Sequence, residues 1–188
     1  MSSVIECFWL EPVELGAESL RRYESILYGG APAVTCPQNR MKIHDTTVEL
    51  GTVPYPFDST LGWGRDDVPH DDPRWPQVCD VCGTPFKSTD CWQHNMERLF
   101  KGAPDGKLYT TRNMPPGAMF NADWLQKGPD GIALAVVLPS RDLWCPDMPS
   151  TSGTPWTRTG TIPKVTCTPS ILTSRYHGFL TDGFLREV

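Results

Sequence analysis

The sequence predicts an α+β chain that is mainly β: a small, loop-rich sheet domain interrupted by one turn and short-helix insertion. Three observations lead there. Nineteen Pro and 16 Gly punctuate the 188 residues and leave no room for long helices. Short β-prone apolar runs recur, of which Ile132–Leu138 is the most apolar. Near the end, Asp182-Gly183 between two alternating runs is a favoured hairpin turn.

Taken in order, Val4 to Leu10 reads as a strand buried on both faces and ended by Glu11-Pro12. Leu15, Leu20, Tyr23, Ile26 and Leu27 roughly follow a helical stripe, so a short helix is predicted over Glu14–Tyr28, stopped by Gly29-Gly30. Residues 31–76 are rich in Pro, Gly and Asp and predict an extended segment, with strands at Arg40–His44 and Thr46–Leu50. Leu108–Thr111 is predicted as a strand, and Ile132–Leu138 as the central one. Residues 139–163 form a second extended segment, packed by Trp144 and Trp156. Val165–Thr168 and the Tyr176–Val188 hairpin close a single domain spanning 1–188.

The chemistry concentrates in residues 76–101. Cys79-x-x-Cys82 is followed by Gly83, which suits the tight turn of a zinc knuckle. Cys91 and His94 follow Ser88-Thr89-Asp90, a helix-start cluster, and a helix from residue 91 places both on one face. Cys79, Cys82, Cys91 and His94 are therefore the predicted ligands of a closed, structural zinc site, with His70 as an alternative ligand. A catalytic zinc keeps one position open, so no catalytic residue is assigned. His44-Asp45 and His70-Asp71-Asp72 read as polar loops with capping Asp residues. His177 reads as a hydrogen-bonded core residue, and Cys36, Cys145 and Cys167 carry no ligand spacing of their own.

Composition narrows the function classes. A net charge of −5 with scattered Lys and Arg argues against a protein built to grip nucleic acid. Seven Cys is an odd count, and no export signal precedes Val4, which favours a reducing compartment and metal binding over a disulfide framework. No apolar run approaches a membrane span.

His70-Asp71-Asp72-Pro73-Arg74-Trp75-Pro76, Cys79-x-x-Cys82-Gly83, Pro115-Pro116-Gly117-Ala118-Met119, Gly128-Pro129-Asp130-Gly131 and Tyr176-His177-Gly178-Phe179-Leu180 resemble the motifs of an uncharacterised family of small proteins from tailed bacteriophages and prophages. Trp9-Leu10-Glu11-Pro12 and Ser19–Tyr23 fit it too, so the resemblance spans most of the chain as short motifs. It departs at residues 145–170, where Pro155–Gly160 stand in place of further Cys and His. The resemblance implies a phage source and brings no activity with it. The function expected is therefore a virion-associated structural protein, of auxiliary capsid (decoration) or connector type. Its partners would be other virion proteins or further copies of itself, and it would be made in the host cytoplasm and carried in the virion. Seven Trp, seven Phe and five Tyr would supply interface anchors. Two alternatives are a zinc-dependent hydrolase or nuclease using His70, Asp71 or His177, and an infection-stage regulatory zinc-finger module.

Overall fold

The structure is a computed structural model that describes residues 4–24, 36, 43–55, 68–149 and 156–188. In chain order the strands are β1 (Val4–Glu6), β2 (Phe8–Trp9), β3 (Glu11–Tyr23), β4 (Asp45–Pro54), β5 (Cys91–Lys101) and β6 (Ala118–Asn121). They continue with β7 (Leu134–Val137), β8 (Leu143–Trp144), β9 (Thr157–Thr161), β10 (Lys164–Leu172), β11 (His177–Thr181) and β12 (Phe184–Glu187). The described residues hold no helix, so the protein is mainly β. They group into two compact units, one of Met1–Val13 with Phe100–Val188 and one of Glu14–Leu99.

The first unit holds two sheets. One is antiparallel, in the order β1-β12-β11-β10-β9. The other runs β2-β6-β7-β8, with β2 parallel to β6. Strand β7 explains the apolar run that stood out in the sequence. Leu134 and Val136 enter one core cluster with Val165, Ile171, Leu180 and Leu185, while Ala135 and Val137 enter another with Leu10, Phe100 and Phe120. A strand buried on both faces has no polar alternation to display. The closing hairpin forms as expected: β11 pairs with β12, and Asp182-Gly183 turns with positive φ at both positions.

The run from Val4 to Leu10 is divided between sheets, β1 pairing with β12 and β2 with β6. Around Tyr109 there is only an isolated bridge to Phe100. Within 139–163 the chain forms β8 and β9, and Trp144 meets Trp156 edge to face at 5.3 Å.

The second unit is built on the sheet β4-β3-β5. Strands β3 and β4 pair antiparallel over a long register, from Leu15 with Pro54 to Tyr23 with Asp45, broken by a bulge between Glu18 and Ser19. Among the described residues its apolar cluster is Leu20, Val68 and Trp75, with Leu50 and Trp92 against them. Two expectations are corrected here. The stretch read as a helix from Glu14 is strand β3 up to Tyr23, and the segment from Cys91 read as a helix is strand β5. Residues 25–28 of the first, residues 40–42 of the strand expected at Arg40–His44, and most of the extended segment 31–76 outside 43–55 and 68–76 lie outside the described residues. Both β3 and β5 bury side chains on each face of a narrow sheet, which blurs the two-residue alternation and lets chance helical spacing emerge.

Candidate metal centre

The knuckle itself is a short hairpin. Val78 bridges Pro85, Phe86 N–H donates to the Gln77 carbonyl at 3.0 Å, and Cys79 N–H donates to the Thr84 carbonyl at 2.9 Å. Between them Gly83 N–H returns to the Cys79 carbonyl at 2.8 Å. Gly83 takes φ +73, a left-handed conformation in which any Cβ is strained, so the glycine after the second cysteine is a geometric requirement. This much agrees with the Cys-x-x-Cys-Gly signature.

The two cysteines meet partners that the sequence did not assign. One donor atom each from Cys36, His44, Cys79 and Cys82 lies within 4.8 Å of the others. His44 Nδ1 is 3.3 Å from Cys82 Sγ. Tetrahedral bonds of about 2.3 Å to sulfur and about 2.0 Å to nitrogen place ligand atoms roughly 3.5–3.8 Å apart. The cluster thus closes on a metal with shifts on the order of an ångström. Three thiols and one imidazole form a soft donor set of the kind structural sites use.

The local electrostatics favour thiolates at the knuckle. Burial works to raise the Cys79 thiol, but hydrogen bonds from His44 and from the backbone N–H groups of Val81, Cys82 and Asp45 outweigh it and hold its pKa below the ordinary thiol value. For Cys82 the strongest influence is the Thr84 hydroxyl, 3.3 Å from its sulfur, helped by the Thr84 N–H and opposed by slight desolvation; its pKa too is lowered. Three thiols of the other unit contrast with these. Burial pushes Cys7 and Cys167 up to about 12 and Cys145 up to about 11.

The remaining residues predicted as ligands do not join the cluster. Strand alternation turns Cys91 and His94 to opposite faces of β5, since residues three apart on a strand do not share a face. His94 is buried and its Nε2 lies 2.7 Å from Glu18 Oε1. Cys91 is half-buried and hydrogen-bonds with Tyr23. His70, the alternative ligand, stacks on Trp92 with centroids 4.5 Å apart and planes at 7°. Asp71 is exposed, and His177 is exposed on β11 opposite Leu172.

Reading the sequence missed Cys36 and placed His44 in a polar loop. His44 precedes β4, and its neighbours fix it there. Asp45 receives a bidentate ion pair from Arg21 of β3, at 2.8 and 2.6 Å. The only sequence signal for these two residues was their type, because donors from separate stretches of the chain carry no spacing rule. Set against protein-family models, curated proteins and solved structures, the chain gives no match to any of the three.

Proposed function

We propose that this chain is a structural, protein-binding component of a phage virion, an auxiliary capsid or connector protein, whose Glu14–Leu99 unit is stapled by one zinc ion held by Cys36, His44, Cys79 and Cys82. The observation that carries the metal part is the closed donor set: four protein ligands fill a tetrahedron and leave no position for a reacting water. The staple answers a physical need. Among the described residues the unit's apolar cluster is small, and a structural zinc can contribute about 10 kcal/mol to the folding of a small metal-dependent domain.

The virion reading draws on the motif resemblance and on what those motifs do in the fold. The residues of His70–Pro76 fold back on themselves, with Trp75 Nε1 donating to the Pro69 carbonyl at 2.9 Å and Arg74 paired with Asp72. Pro115–Met119 leads into β6, and Tyr176–Leu180 leads into β11. Asp130 of the Gly128–Gly131 turn receives the Arg158 guanidinium at 2.9 and 2.7 Å. These are turns, pairs and core strands, as a scaffold uses them, and they do not gather polar side chains around one point. Mass spectrometry of virions purified from the producing host tests the reading. Stoichiometric copies of the chain are expected; absence from virions, with the protein abundant in infected cells, contradicts it.

A further inference from the structure

We infer that one rung of the β3–β4 pair, Arg22 opposite Thr46, is the device that positions the knuckle so that its two cysteines meet His44. The inference rests on the metal site proposed above and names the residues outside the donor set that hold it in place.

Arg22 and Thr46 are direct cross-strand partners. Both are buried, at 3% and 7% exposure, and both bond to the same hairpin, Arg22 through its two terminal guanidinium nitrogens and Thr46 through its hydroxyl. The Arg22 guanidinium donates to the Pro76 carbonyl at 3.2 Å and to the Lys87 carbonyl at 2.7 Å. Pro76 and Lys87 flank the hairpin that begins at Gln77 and ends at Phe86, so one planar cation bridges its base. The same guanidinium carbon lies 3.7 Å from the centre of the Trp92 ring and 5.1 Å from that of Phe86, which fixes its plane.

Thr46 holds the other end. Its hydroxyl donates to Asp80 Oδ1 at 3.0 Å and accepts from Asp80 N–H at 2.9 Å. Asp80 stands between the two knuckle cysteines. The residue two before Thr46 is His44, the ligand that must meet them. Base and tip of the hairpin are thus both referred to one rung of the sheet, and His44, just before β4, is referred to the same rung. Arg is required for this task because its fork reaches two carbonyls at once, whereas a Lys ammonium is a single point charge. Partners that orient metal ligands typically contribute 10–100-fold to metal affinity.

The test uses the full-length chain and zinc alone. Zinc affinity is measured by competition with a chromophoric chelator, and the stability of the chelated protein by urea unfolding. For Thr46→Val, which keeps the shape and removes the hydroxyl, zinc affinity is expected to fall at least tenfold while the metal-free urea midpoint stays close to that of the parent. Thr46→Ser, which restores the hydroxyl, is expected to recover most of the affinity. Arg22→Lys is expected to weaken zinc binding by a similar factor. Should Thr46→Val fail to fold, Asp80→Ala breaks the same link from the exposed side of the hairpin and is expected to lower affinity in the same direction. Parent-like affinity in the folded variants, with the parent binding zinc, overturns the positioning role and leaves the metal site standing. A parent chain that binds no zinc overturns both.

Discussion

His44 Nδ1 stands 3.3 Å from Cys82 Sγ although the two residues are 38 positions apart in the chain. That contact makes the proposed centre a tie between the start of β4 and the knuckle, where a signature read along the sequence would make it a local loop. Removing the metal should therefore loosen both partners together. Hydrogen exchange with and without a strong chelator is expected to gain at residues 44–46 and 77–86. The amides of β6, β7 and β11, in the other unit, are expected to stay protected. Equal loosening of both units would contradict a centre confined to Glu14–Leu99.

Alkaline pH should destabilise the first unit through its buried thiols. Burial raises Cys7 and Cys167 from 9.0 to about 12. A group whose folded pKa is raised contributes stability that is complete below its unfolded value and lost as pH rises through the folded one. The unfolding midpoint in urea is thus expected to fall between about pH 9 and pH 12. The double variant Cys7→Ala, Cys167→Ala should flatten that dependence, and an unchanged pH profile would count against the assignment. In the native protein at neutral pH the same two thiols should resist iodoacetamide. After chelation Cys82, with its lowered pKa and partial exposure, should be the first of the clustered cysteines to react.

The Arg158 cluster offers a test of the core. Its side chain is 5% exposed and meets Asp147, 7% exposed, at 3.1 Å, and Asp130 at 2.7 Å. Arg158→Met leaves Asp147 as a buried carboxylate without its partner, and a loss of about 3–5 kcal/mol is expected in urea unfolding. A change below about 1 kcal/mol would mean that the buried pair is not maintained in solution.

Gly178 separates steric need from chance in the Tyr176–Leu180 motif. A Cβ at that position would overlap the Arg186 carbonyl oxygen and the Tyr176 hydroxyl. Gly178→Ala is expected to cost about 1–3 kcal/mol, as overpacking of a tight core does. Gly178→Ala with Tyr176→Phe should recover part of that loss, because the hydroxyl is one of three atoms in the way, beside the Tyr176 ring carbon that bears it and the Arg186 carbonyl oxygen. No recovery would place the conflict at the β12 backbone and at the ring carbon that Phe retains.

Local chemistry in this protein was legible and distant chemistry was not. Cys79, Cys82 and Gly83 lie within one turn, so their spacing reports their geometry. Asp182-Gly183 and the Ile132–Leu138 run are legible for the same reason: a turn and a doubly buried strand are set by adjacent residues. Strand β5 was misread because the helix-start cluster Ser88-Thr89-Asp90 serves a different end: the Asp90 side chain accepts from Lys87 N–H at 2.7 Å in the turn before the strand. With the helix gone, the reason for pairing Cys91 with His94 goes too. His44 reaches the site beside the β3–β4 pairing and Cys36 meets it from a distant position in the chain, and no one-dimensional pattern encodes that.

The most direct test of the central claim is the zinc-to-protein ratio of two single variants purified alongside the parent. Cys36→Ala is expected to lose bound zinc, whereas the parent and Cys91→Ala are both expected to carry one zinc per chain. Zinc retained by Cys36→Ala and lost by Cys91→Ala would contradict the centre described, as would a parent chain purified without zinc and unable to take it up.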